Sequence, residues 1–143
     1  MLAPVLLCSS AFWSQYQDEV IDAAPGIEVV QFTTGQRVSH DDIARLTIAF
    51  CSVDLYPDGL AGFYRVCLDA PRLQWMQIQN VGIDHPVFGM LLAKGLRMTT
   101  ASGTSAIPIA QHVIMFLLAL ARGLPESMAA QQRHEWQPRE LDD

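Results

Sequence analysis

The sequence has no G-x-G-x-x-G, and its nearest glycine cluster, Gly59-Leu60-Ala61-Gly62, has the wrong spacing and does not directly follow a strand. A dinucleotide pyrophosphate therefore has no glycine cradle within these 143 residues. There is no run of Lys or Arg either. With 9 Lys+Arg against 15 Asp+Glu, a net charge of −6, the chain lacks the clustered positive charge that a phosphate backbone or an anionic membrane needs, which argues against both as partners. Cys-x-x-Cys and His-Glu-x-x-His spacings are absent and the four histidines are far apart, so no metal site is expected. The three cysteines, Cys8, Cys51 and Cys67, are widely spaced, odd in number and set among apolar residues. They read as buried thiols of a reducing, cytoplasmic compartment. The apolar N-terminus has no basic region ahead of it, which favours a short buried strand over a signal peptide. The stretch from Ala106 to Ala121 is nearly all apolar but contains Pro108, Gln111 and His112. It falls short of the roughly 20 residues that span a bilayer, so a buried helix is expected.

Half of the residues are hydrophobic, and a chain of this length buries roughly two thirds of the surface it exposes when unfolded. Short apolar runs alternate with helical patterns. Strands are expected at Val5–Ser9, Ile27–Phe32, Thr47–Cys51, Leu73–Gln79 and Leu96–Ala101. Helices are expected at Ser14–Ala24, at His40–Leu46 with Ser39 as cap, at Phe63–Ala70, and from a cap at Asp84 through Pro86 to Gly95. The segment Ser52–Gly62, with one proline and two glycines, reads as a loop. Five strands alternating with helices predict an α/β, flavodoxin-like parallel sheet with helices on both faces. Ser105–Arg122 and Pro125–Trp136 are two further helical patterns outside that scheme.

Ligands of open parallel sheets bind at the carboxyl ends of the strands. The loop Gln79-Asn80-Val81-Gly82-Ile83-Asp84 is a glycine turn between a strand and a helix, which can present backbone N–H groups to a carboxylate or phosphate. It is equally a plain strand-to-helix turn with Asp84 as its cap. The hydroxyl-rich loop Thr99–Ser105 offers the same choice between an anion or amide site and an ordinary cap by Thr104 or Ser105. Asp54 lies near the end of the third strand, but no acidic pair follows strand one and no lysine follows strand five, so a magnesium-dependent phosphoacceptor is excluded. Ser9-Ser10-Ala11-Phe12-Trp13-Ser14 has no glycine for a flavin phosphate. His112 reads as a core histidine and His85 as an exposed residue of a helix start. The adjacent acidic pairs are solvated rather than a catalytic dyad.

The run Leu73-Gln-Trp-Met-Gln-Ile-Gln-Asn-Val-Gly-Ile-Asp84 resembles the "LKWIQ…AGVD" strand and turn of the D-isomer-specific 2-hydroxyacid dehydrogenases. The likeness continues through Gly95–Ser105, Ile109-Ala-Gln-His112, Leu117–Arg122, Pro125-Glu126 and Trp136. The resemblance implies a two-domain, NAD- or NADP-dependent oxidoreductase in which a flavodoxin-like domain closes over a Rossmann domain and hydride passes between substrate C2 and the nicotinamide. It implies that the amides of Val81 and Gly82 hold the substrate carboxylate, that Asn80 and Leu55 line the substrate pocket, and that Ser105 and Ile109 face the nicotinamide. The family's glycine fingerprint and its catalytic Arg, Glu and His fall beyond the position matching Asp143, so no catalytic residue is assigned here. Gln111 stands where the family usually has Glu, and Ser105 where it often has Asn.

The expected organisation is therefore a substrate-binding domain over residues 1–104 and linker helices of the cofactor-domain side over residues 105–143. The Rossmann core would lie outside these residues, and the fragment would be inactive by itself. The complete protein is expected to be a cytoplasmic homodimer acting on a small 2-hydroxy or 2-keto acid. The rival reading is a non-catalytic flavodoxin-like binding or interaction module that uses the apolar helix of residues 106–121 as an association surface.

Overall fold

Val5-Leu6-Leu7-Cys8-Ser9 is apolar or small on both sides, as a strand covered from above and below must be. In the computed structural model, which describes residues 3–138, this run is the central strand β1 (Val5–Ser9), buried at every position. It pairs in parallel with β2 (Glu28–Phe32) on one side and β3 (Ile48–Cys51) on the other. Beyond β3 come β4 (Trp75–Ile78) and β5 (Arg97–Thr99), so the strand order is β2-β1-β3-β4-β5, all parallel. This is the expected flavodoxin-like α/β architecture.

The helices between the strands start where side chains can satisfy their first N–H groups. Helix α1 (Ser10–Ala23) begins four residues before the expected Ser14, because Ser9 ends β1 and caps the helix at once, its hydroxyl accepting from the Phe12 N–H at 3.0 Å. The helix is kinked at Tyr16, where φ is −125° and ψ is 16°. Helix α2 (His40–Arg45) has the expected Ser39 cap, which accepts from the Asp42 N–H at 3.1 Å and donates to the Asp42 carboxylate at 2.7 Å. Arg45, at the other end of α2, grips Asp42 and the Glu28 carboxylate of β2.

The expected loop after β3 is more ordered than its proline and glycines suggest. It makes a short 3-10 turn over Val53–Leu55, and helix α3 (Leu60–Asp69) begins before the expected Phe63. Helix α4 (Pro86–Ala93) is capped by His85, whose ring nitrogen accepts from the Val87 N–H at 3.2 Å, and not by Asp84. With Pro86 at the start of the helix, the residue just before it holds the cap position. Lys94, past the end of α4, donates to the carbonyls of Cys67, Leu68 and Ala70, placing positive charge where α3 leaves its carbonyls unpaired.

Alternation along the strands sorts the sheet into two faces. Leu7, Val30, Phe32, Ala49, Cys51, Met76 and Ile78 point to one face and form the core with Leu46, Phe63, Tyr64, Val66, Cys67, Phe88 and Leu91, contributed by the α2–α4 side. On the other face α1 lays Phe12 against Phe50, with ring centroids 4.5 Å apart. Beyond Phe50 that face is open. Trp75 is 41% exposed, and its indole N–H donates to Thr99 at 2.9 Å, while the Thr99 hydroxyl donates to the Gln77 side-chain oxygen at 2.5 Å.

The chain divides into two compact units between Ser102 and Gly103. The second holds helix α5 (Ala106–Ala121) and helix α6 (Leu124–Gln132), bent by 64° at Gly123, whose φ of 61° suits a residue without Cβ. No single described helix is long and apolar enough to cross a membrane. Helix α5 is apolar as expected but not buried, since none of its residues is enclosed in this structure. Within its own unit only α6 packs on it. His112, expected in a core, is exposed with its ring against Phe116 at 4.6 Å. Helix α6 ends at Gln132, four residues short of the expected Trp136; soon after it His134 adopts φ of 57°.

The packing of the first unit leads to three predictions. Burial pushes the Cys8 thiol up to about 12, helped by the nearby charge of Asp54, and burial likewise raises Cys51 and Cys67. All three thiols are expected to resist an aromatic disulfide reagent at pH 8 in the folded protein and to react once it is unfolded in urea. For Cys8 the folded value lies above the ordinary 9.0, so its contribution to stability is full below that pH and is lost as pH rises from about 9 to about 12. Urea midpoints measured across that range should fall. Ser9→Ala removes both the α1 cap and the partner of the Ser52 hydroxyl, 3.0 Å away and buried. A loss of about 1–3 kcal/mol is expected by chemical denaturation.

Candidate functional site

All five strands end at one edge of the sheet, and the turn after β4 lies there. Its first residues are anchored: the Gln79 backbone hydrogen-bonds the Cys51 thiol, and the Asn80 carbonyl accepts from the Ala101 N–H at 3.1 Å. The next two are not. Among the described residues the N–H groups of Val81 and Gly82 meet no protein acceptor, and the Asn80 side-chain amide is likewise without a partner. Asn80, Val81 and Gly82 are all exposed. A Cβ at position 82 would stand 3.1 Å from Asp84 Oδ2, so glycine lets the turn fold back on its own carboxylate. Two adjacent exposed N–H donors can accept a carboxylate with charge-assisted hydrogen bonds and no cationic side chain.

The loop after β3 is the neighbour of this turn, about one strand spacing of 4.8 Å away. Leu55, expected to line a pocket there, is 2% exposed and part of the core, because the 3-10 turn rotates it inward under the loop. Val53 and Tyr56, 76% and 70% exposed, hold the outer surface of the loop in its place, with Asp54 exposed between them. Sequence reasoning passed over Val53 and Tyr56, since a stretch with one proline and two glycines carries no periodicity to say which side chains face out. At the end of β1, Ser9 and Ser52 hydrogen-bond each other and are closed to a ligand.

Of the Thr99–Ser105 hydroxyls, Thr99 is engaged in the ladder with Trp75 and Gln77. Ser105 holds the cap position of α5 but makes no side-chain cap bond, contrary to the ordinary cap expected. Ser105 and Ile109 are exposed and one helical turn apart, on one side of the start of α5. Among the described residues no three His, Cys, Asp or Glu side chains gather as metal ligands. A groove of about 930 Å³, lined by Arg45, Arg72, Trp75 and Arg97 among others, opens at the amino-terminal edge of the sheet. It lies at the wrong end for a ligand held by the 79–84 turn.

No protein-family model and no curated protein matches the chain. Solved structures do. A D-isomer specific 2-hydroxyacid dehydrogenase from Xanthobacter autotrophicus Py2, in complex with NADPH and MES, superposes with a TM-score of 0.67 at 18% identity, covering 99% of this chain and 43% of its own. A member of the D-isomer specific 2-hydroxyacid dehydrogenase family from Aeromonas salmonicida subsp. salmonicida A449 gives 0.62 at 20% identity, with the same coverage. A D-lactate dehydrogenase from Aquifex aeolicus, complexed with NAD and lactic acid, gives 0.56 at 18% identity over 95% of this chain and 39% of its own. The chain thus spans less than half the length of the structures it matches. Its fold is that of a part of the D-isomer specific 2-hydroxyacid dehydrogenases.

Proposed function

We propose that these residues are the substrate-binding part of an NAD- or NADP-dependent oxidoreductase acting on the CH–OH group of D-2-hydroxy acids, with the cofactor domain outside them. The observation that carries the reading is the pair of unengaged N–H groups at Val81 and Gly82, at the ligand-binding edge of a fold shared with such enzymes. In this reading the two amides hold the C1 carboxylate and so fix C2 in position, and the Asn80 amide meets the oxygen on C2. The side wall is the exposed surface of Val53 and Tyr56 rather than Leu55.

The bound cofactor would supply hydride exchange with C2. The residues present fit its nicotinamide end: the unengaged Ser105 hydroxyl suits the carboxamide, and Ile109, one turn on, suits the ring. Nothing in these residues provides for its pyrophosphate. Proton transfer likewise requires groups outside them, so the chain alone is expected to orient substrate without turning it over. In the complete, cytoplasmic protein the apolar surface of α5 would be covered by the cofactor domain and a second copy of the chain. The same uncovered helix is what would favour a non-catalytic interaction module instead.

The test uses the complete polypeptide encoded with these residues, assayed for NADH- and NADPH-dependent reduction of a panel of 2-oxo acids. Gly82→Pro removes one carboxylate-binding N–H, and a charge-assisted hydrogen bond corresponds to roughly a 10- to 100-fold loss in kcat/KM, with the far-ultraviolet spectrum unchanged. An active enzyme indifferent to this substitution would move the substrate away from the turn. A folded, complete protein that reduces no 2-oxo acid would leave the interaction module.

A further inference from the structure

We propose that Asp84 sets how tightly the acid is held at this turn: its free carboxylate, folded over Gly82, opposes the substrate carboxylate gripped by the Val81 and Gly82 amides. The turn then directs the acid while keeping its affinity low. The inference deepens the reading of those two amides as the carboxylate site and rests on it.

Asp84 is left free by the residue two places on. Pro86 fixes the first turn of α4 and gives the cap position to His85, whose ring nitrogen accepts from the Val87 N–H. Aspartate is the better cap by residue type, yet it stands one position too early for that task. Among the described residues its carboxylate accepts no hydrogen bond and joins no ion pair, and the residue is exposed.

The side chain turns back along the chain instead. Asp84 Oδ2 stands 3.1 Å from the place a Cβ of residue 82 would take. A Cβ lies about 2.5 Å from its own backbone nitrogen, which puts this oxygen within about 5.6 Å of the Gly82 nitrogen. A carboxylate oxygen bound to that N–H would be about 2.9 Å from the same nitrogen. Two anions thus come within reach of one amide, closer than the Debye length of about 10 Å at 0.1 M salt. Glycine allows the approach, since a Cβ at 82 would crowd Oδ2.

The repulsion comes from a residue whose place is fixed within the turn. A cation brought to the substrate by the rest of the polypeptide acts on the parent and on a variant at 84 alike. Because the opposition weakens bound acid and transition state equally, it is felt in KM. The result is a site that is directional through its N–H groups and quick to release its acid.

The experiment measures kcat/KM of the complete enzyme for pyruvate and 2-oxobutyrate at low ionic strength in the parent, Asp84→Asn, Asp84→Lys and Asp22→Asn. Asp84→Asn is expected to raise kcat/KM by about 3- to 10-fold through a lower KM, one unit of charge acting over several Å in a partly exposed site. Asp84→Lys should raise it further. Asp22, exposed near the end of α1 and so toward the edge where the strands begin, carries the same charge. Asp22→Asn should leave kcat/KM unchanged, which separates local repulsion from net charge. Asp84 has no partner to lose, so its variants should keep the parent Tm, and a merely structural role would weaken acid binding rather than tighten it. Raising the salt concentration should bring the parent and Asp84→Asn together. An active enzyme in which both Asp84 variants leave kcat/KM unchanged or lower it overturns the inference, and a loss in Gly82→Pro then still keeps the substrate carboxylate at the turn. Indifference to Gly82→Pro as well, or no reduction of any 2-oxo acid, overturns the site reading along with it.

Discussion

Parallel pairing obliges every strand of a sheet to begin at one edge and end at the other, and this directional constraint governs the rest of the molecule. It forces each connection to recross the sheet, which is why helices separate the strands and why Ser9, Ser39 and His85 each stand at a strand-to-helix or loop-to-helix joint to receive the first N–H groups. It also collects five strand ends on a single edge. The Val81–Gly82 amides and the Val53–Tyr56 surface are far apart in sequence and adjacent for that reason alone. The cations that precede or open β3, β4 and β5 are carried by the same rule to the opposite edge, where Arg45 binds Glu28 at the start of β2.

Hydrophobic periodicity made the sheet legible. Val5–Ser9 is too short an apolar run to be a helix and Ile27–Phe32 is both short and rich in β-branched residues, and the alternation of such runs with helical patterns predicts a parallel sheet before any pairing is known. What escaped was local. Ser9 was readable as the end of a strand but not as the cap of the next helix, because a residue serving both roles leaves no loop between them to mark the boundary. Asp84 was the better cap by residue type, yet Pro86 fixes the helix start so that His85 occupies the cap position. The turn at 79–84 was visible as a possible anion site from its glycine alone. The inward rotation of Leu55 was not, since one 3-10 turn decides which of Val53, Asp54 and Leu55 faces out, and no repeat in the sequence encodes that turn.

Helix α5 illustrates the opposite failure of the same logic. Its composition says buried, and composition is correct about what the side chains require; Ile107, Leu117 and Leu120 nonetheless remain largely exposed. A hydrophobic pattern states how much cover an element needs and is silent on who provides it. Within its own unit only α6 lies against it, and α6 is too short and too polar to enclose it.

Trp75 draws a practical consequence from the open face of the sheet. Its indole N–H is already held by Thr99, so its ring is left to face whatever medium lies above β4. Among the chain's three tryptophans, Trp136 is almost fully exposed and Trp13 lies on α1. Trp75 is therefore a built-in fluorophore whose emission wavelength reports the dryness of that face, shifting blue when a second surface closes over it and staying red while the face remains in water.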